Sequence, residues 1–383
     1  MQGPSPHRRF ELSYLRAAVT LLVVVHHTAI AYRVAKPPRY PFTMQPLLWG
    51  AFPVTDTAGW PGFDLLVGWN DIFFMALMFL VSGLFVWPSL QRHGSGQYVQ
   101  RRLLRLGVPF VFAAGVLAPL AYYPAYLQLG GEARIGSYAD AWLALDAWPA
   151  GPAWFLWLLL AFDCLAATIF ATAPGTVEAV ARSVRALSKR PLLLFLALAA
   201  LSLAVYAPMA IEFGAGKWWS WGPFSVQASR LLDYFVYFAL GVCLGAFGTE
   251  IAFLQRMGPL ARTVWLWGLA MVVAFVAVAA LAQTARTTEA TILFPVSCAA
   301  SSFFVIAAVI RFARPLRWAD SLSANAYGIY VVHYVFVIWL QYAALRWEAP
   351  VVIKAVAVFI AAVGLSWTVT ALLRRNKTIA QVV

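Results

Sequence analysis

Apolar residues run through this chain in long uninterrupted blocks, and polar and charged residues gather in the stretches between them. A helix needs about 20 apolar residues to cross the hydrocarbon core of a bilayer. Ten blocks approach that length: Leu12–Tyr32, Trp69–Leu90, Leu103–Tyr123, Trp154–Thr172, Leu192–Ile211, Leu231–Phe247, Val264–Gln283, Ile292–Ile310, Tyr327–Leu345 and Val351–Leu372. In lipid only a helix or a closed barrel satisfies its own backbone groups, and continuous runs lack the alternation of barrel strands. The pattern predicts an all-α fold, a polytopic integral membrane bundle of about ten transmembrane helices. One domain is expected over residues 1–383, with no appended soluble domain.

Composition excludes the alternatives. Of 383 residues, 62% are hydrophobic and 11% charged, with mean hydropathy +0.76. A soluble domain carries roughly 25% charged residues, and a disordered chain has low hydrophobicity. The 17 Trp, 27 Phe and 15 Tyr suit aromatic belts at the two interfaces. Cys164, Cys243 and Cys298 lie inside apolar blocks and form neither a disulfide framework nor a CxxC metal pattern. No metal site is expected.

The net charge of +13 would suggest nucleic acid in a soluble chain. Here the basic residues follow the loops instead. With the N-terminus inside, alternate connections hold 18 Lys and Arg on the inner side, beginning with Arg8 and Arg9, and 7 on the outer side. Arg16, Arg230 and Lys354 fall within or at the ends of spans. Basic residues favour cytoplasmic loops, so both termini are expected in the cytoplasm and no nucleic-acid partner is expected. The first block is too long for a signal-peptide core and no A-x-A site follows it, so it reads as a retained anchor. Two outer connections, Arg33 to Gly68 and Glu212 to Ser229 with its Lys217-Trp218-Trp219-Ser220-Trp221 run, suit the membrane surface or a carbohydrate.

Ionisable residues inside spans mark function. In the first span Arg16 and His27 are eleven residues apart, which returns to nearly the same helix face about 16 Å further along the axis. His26 turns away by roughly 80°. Arg102 and Arg105 open the third span three residues apart, hence adjacent on one face. Guanidinium pairs suit phosphate; a plain topogenic charge run is the alternative. Asp163 lies midway along the fourth span, Asp233 starts the sixth, and Tyr330 and His333 share a face of the ninth. Each of these could equally be a polar bridge between helices.

These residues together resemble the membrane-bound acyltransferase-3 family. The carriers are Arg16 and His27 in the first span, Arg102 and Arg105 at the third, Ser82-Gly83 before them, Trp154-Phe-Leu in the fourth, and Tyr327-Gly-Ile-Tyr330 followed by His333. Within the family the chain is most similar to the branch that succinylates periplasmic glucans, through Arg8, Leu12 and Arg16, the run from His27 to Tyr32, Asn70-Asp71, and Arg105-Leu-Gly-Val-Pro109. Ser13-Tyr14 stand where the family usually carries Asp-Gly. The resemblance implies an acyl-CoA-dependent O-acyltransferase of the bacterial inner membrane. It would move an acetyl or succinyl group from cytoplasmic acyl-CoA, a co-substrate rather than a bound cofactor, to a hydroxyl of an extracytoplasmic glycan. His27 would act as general base, or as a covalent acyl carrier, with Arg16 beside it in the mechanism. Arg102, Arg105 and Arg16 would bind CoA phosphates. Asp163, Tyr330 and His333 would contact substrate or the oxyanion. The rival readings are a polytopic small-molecule transporter, which would also bury Arg, His and Asp, and an inactive scaffold.

Overall fold

The computed structural model describes residues 10–44, 51–248 and 251–382, so Arg8 and Arg9 lie outside the described residues. Ten of its helices are long and apolar enough to cross a membrane: α1 (Phe10–Ile30), α2 (Pro61–Gly83), α3 (Val86–Gln128), α4 (Trp154–Thr172), α5 (Pro191–Phe213), α6 (Leu231–Gly245), α7 (Val264–Gln283), α8 (Thr287–Phe312), α9 (Arg317–Ala344) and α10 (Val351–Leu373). The all-α bundle read from the hydrophobic blocks is the observed fold, that of a multi-pass membrane protein.

The second and third boundaries differ from the sequence expectation. The helix α2 begins at Pro61, eight residues before Trp69, because Pro in the first turn costs no hydrogen bond and Asp64 there complements the helix dipole. The connection after α1 is correspondingly shorter than the expected Arg33–Gly68. At its other end α2 stops at Gly83, and Val86, Trp87 and Leu90 already belong to α3. Polar Gly-rich turns do not mark this break, so hydropathy ran the two helices together.

Close packing explains why Gly83 stands there. A Cβ on Gly83 would strike the Phe238 carbonyl of α6, and one on Gly241 would strike the Leu80 carbonyl of α2. Small residues let membrane helices meet backbone to backbone. Gly241→Leu is therefore expected to cost about 3 kcal/mol or more through overpacking. The check is the yield of monodisperse protein after detergent extraction, which should fall steeply.

Three local features bend α3. Gly94 takes φ 70°, in the left-handed region that glycine adopts at little cost. Leu103–Gly107 and Ala113–Leu117 are π-helical turns, which frequently occur at functional sites. The Tyr327 hydroxyl of α9 donates to the Arg105 carbonyl within the first of them.

The core is formed chiefly by α1, α2, α6 and α8, whereas α5, α7 and α10 present most of their surface outward. Trp265, Leu269, Val273 and Val276 of α7 are all exposed. Such a surface would aggregate in water and is the normal contact with lipid. The connection after α1 is held against α10 by a buried Asp56–Lys354 ion pair at 2.8 Å. The Glu212–Ser229 stretch contains more than a loop: β1 (Trp218–Trp221) and β2 (Phe224–Gln227) form an antiparallel hairpin, with Trp218 paired to Gln227.

Candidate functional site

Two cavities lie along α1, one toward each end. The larger, about 520 Å³, is lined by Arg16, Val19 and Thr20 of α1, by Ser82 and Phe85, and by Arg92, Arg101, Arg102 and Arg105 of α3. A second chamber of about 400 Å³ shares Arg16, Arg105 and Tyr327 with it and adds Arg374. The smaller cavity, about 150 Å³, is lined by Val23, His26, His27 and Ile30 of α1, Asp71 and Phe74 of α2, Tyr122 of α3, Trp154 of α4, Tyr234 of α6, Tyr330 and Tyr334 of α9, and Trp218, Ser225 and Gln227 of the hairpin. Tyr330 lines both the arginine cavity and the histidine cavity. Along α1 Arg16, Val19, Thr20, Val23, His27 and Ile30 line the cavities with the three-and-four spacing of one helix face, and His26 lines the smaller one beside them. Arg16 and His27 therefore share a line, as their spacing required, and each faces a different cavity.

The arginine cavity owes its geometry to a buried carboxylate. Asp163 is 1% exposed on α4; it accepts from the Tyr98 hydroxyl at 2.6 Å and pairs with Arg102 Nε at 3.2 Å. The Arg102 guanidinium also lies over the Tyr98 ring, 5.0 Å from its centroid. A buried charge persists only when paired, so Asp163, Tyr98 and Arg102 fix one another. Asp163 thus stands behind Arg102 and lines neither cavity. Arg16 lies over the Phe85 ring at 5.9 Å.

His27 is held by two neighbours. Its Nδ1 lies 2.8 Å from the Val23 carbonyl and 3.4 Å from His333 Nε2. A carbonyl only accepts, so Nδ1 carries the proton and, in the neutral ring, Nε2 keeps a lone pair. His333 follows the same logic: its Nδ1 lies 2.7 Å from the Tyr330 carbonyl, which makes Nε2 an acceptor toward His27. The ring of Tyr334 packs edge-on against His27 at 5.0 Å. Gln341 donates to the carbonyls of His27 and Thr28 at 2.9 and 3.0 Å. Those carbonyls sit in the last turn of α1, where the helix offers no donor of its own.

Of the residues singled out in the sequence, Arg16, Arg102 and Arg105 come together at one end, and His27, His333 and Tyr330 at the other. The Tyr330 hydroxyl donates to the Pro152 carbonyl and both His333 nitrogens face protein atoms. Their donors are thus engaged within the protein in this structure. Asp233 is buried on α6 and lines neither cavity.

Sequence reasoning missed part of the histidine cavity. His26, placed away from the Arg16 line by its helical angle, lines the same cavity, because the space wraps around α1 onto Phe74, whose ring stacks on His26 at 4.8 Å. Asp71 and Arg230 form an ion pair at 2.6 Å between α2 and the start of α6. Their opposite charges inside spans were the available signal; nothing in spacing could join residues 159 positions apart.

Comparison with known proteins bears on this geometry. No curated protein and no solved structure matches the chain. The acyltransferase-3 family model, described as an acyltransferase domain, matches residues 9–371, nearly the whole length. A bundle of ten membrane helices, an arginine cavity and a histidine cavity along one helix face, and that match together place the chain in the acyltransferase-3 family, as a membrane acyltransferase.

Proposed function

We propose that the protein is an O-acyltransferase that takes an acetyl or succinyl group from acyl-CoA at the arginine end and passes it to a hydroxyl of an extracytoplasmic glycan at the histidine end. The observation that carries this is the division of α1: Arg16 lines one cavity, His27 the other, and Tyr330 lines both. We take the arginine end as the cytoplasmic face of the bacterial inner membrane, because basic residues concentrate there. A periplasmic glucan is the acceptor that the sequence resemblance favours.

Five arginines line the larger cavity. Arg102 and Arg105, with Arg16, would hold the phosphates of CoA through charge-assisted hydrogen bonds. Asp163 engages Nε of Arg102, so the terminal edge of that guanidinium remains for a phosphate. The thin pantetheine arm would then run past Tyr330 and place the thioester at His27.

The chemistry at His27 follows from its tautomer. Nε2 takes the proton of the acceptor hydroxyl as the oxygen attacks the thioester carbon. A carbon–oxygen bond forms, the carbon–sulfur bond breaks, and the imidazolium returns the proton to the departing thiolate of CoA. His333 orients the base from behind without touching substrate, and Asp163 does the same for Arg102. This assigns them positioning roles.

His333→Phe is expected to lower kcat about tenfold by loosening the His27 ring, while KM for acyl-CoA stays unchanged. A parallel change in KM would mean that His333 contacts the donor. The reading as a whole is tested by supplying labelled acyl-CoA to membrane vesicles containing the protein. Label should enter envelope glycan. Solute uptake without thioester cleavage would identify a transporter instead.

A further inference from the structure

Among the described residues that line the histidine cavity, Asp71 is the one carboxylate, and the cation paired with it stands behind the wall. Asp71 lines it with its side chain 47% exposed. The cation that balances Asp71 is withdrawn from the wall: Arg230 is 9% exposed. It donates through Nη1 to the Asp71 carbonyl at 2.7 Å and through Nη2 to the carboxylate at 2.6 Å. Its guanidinium also lies over the Phe294 ring at 4.9 Å. Among the described residues no Lys or Arg lines this cavity, whereas five arginines line the other. The remaining polar lining is neutral or histidine: His26, His27, Ser225, Gln227 and four tyrosines.

We propose that Asp71, clamped by Arg230, determines donor specificity, so that the acyl group delivered to His27 is short and uncharged, of the acetyl type, and one ending in a carboxylate is rejected. The proposal rests on the acyl-CoA reading above. It decides between the two acyl groups that reading leaves open, against the succinyl group suggested by sequence resemblance.

The argument is one of size and charge. Asp71 and His27 line the same cavity of about 150 Å³, so the carboxylate lies on a wall that an acyl group held at His27 would meet. A succinyl carboxylate would give up its hydration there and meet a like charge, with no cation to pair with among the described lining residues. Like charges brought together cost enough to exclude a wrong partner. An acetyl methyl carries no such penalty and can rest against Phe74 or Met75, which also line the cavity.

The test is a competition between labelled acetyl-CoA and labelled succinyl-CoA, supplied to membrane vesicles that contain the protein and the cell's own envelope glycans. Vesicles without the protein give the background. The expected result is a preference for acetyl of roughly 100-fold in kcat/KM. Asp71→Asn should cut that preference at least tenfold, because it removes the carboxylate and leaves Arg230 as an unbalanced cation beside the cavity. Asp71→Asn alone strands a buried charge and could reduce folded protein, so the double variant Asp71→Asn with Arg230→Gln serves as the second probe. It should also narrow the preference. The ratio is internal to each sample, so lost protein does not alter it. Comparable or better use of succinyl-CoA by the unaltered protein would overturn the proposal and leave the acyltransferase reading intact. So would a preference that both variants retain. Labelling by neither donor would overturn the acyl-CoA reading itself.

Discussion

Replacing His27 by Ala is expected to lower acyl transfer per folded protein about 10³-fold. General acid–base catalysis by a positioned side chain is worth roughly 10²–10⁴ in rate, and no other group among the described residues of the histidine cavity has the same arrangement. Its Nδ1 is tied to Val23 and faces His333, so the proton-accepting nitrogen is fixed as Nε2. His26, stacked on Phe74 in the same cavity, lacks those two constraints and should not substitute. The Val23 carbonyl keeps its ordinary helical bond; the structural cost is the His333 Nε2 acceptor left without its 3.4 Å partner, about 1–3 kcal/mol, which the rate per folded protein separates from catalysis. The measurement is initial rate at saturating donor, normalised to folded protein. A His27→Ala variant with unchanged rate would remove this residue from the chemistry and leave only the topology.

The second large effect concerns the donor. Arg102→Ala combined with Arg105→Ala is expected to raise KM for acyl-CoA by about 10²-fold or more, since a hydrogen bond to a charged group contributes roughly 1.5–3 kcal/mol. The KM for acceptor should hardly change. Asp163→Asn should reproduce part of the increase, because Arg102 loses the partner that fixes it at 3.2 Å. A topogenic role for the two arginines would show instead as lower insertion into the membrane, with normal KM in the protein that does insert.

How far the sequence led depends on what was local. The ten helices follow from uninterrupted apolar blocks, and the fourth and seventh agree with the structure to the residue at both ends. The α2–α3 junction was not legible, because apolar residues run through it from Phe79 to Trp87 with no change in hydropathy, and the contact of Gly83 with α6 shows only in the packing. The Arg16–His27 line was legible because both residues sit on one helix, where angle follows from count. The His27–His333 contact was not, since it joins residues 306 apart. Asp163 appeared as an intramembrane carboxylate of uncertain use, and only packing shows that Tyr98 and Arg102 absorb it. The π turns at Leu103–Gly107 and Ala113–Leu117 leave no mark in composition.

The central claim is that donor and acceptor approach opposite ends of α1 and react at His27. Proteoliposomes with the protein in one defined orientation test it directly. Acyl-CoA is enclosed or added on one face only, and a membrane-impermeant glycan acceptor on one face only, in all four combinations. Transfer is expected when acyl-CoA faces the arginine end and glycan faces the histidine end, and in no other combination. Transfer that requires both substrates on the same face would contradict it.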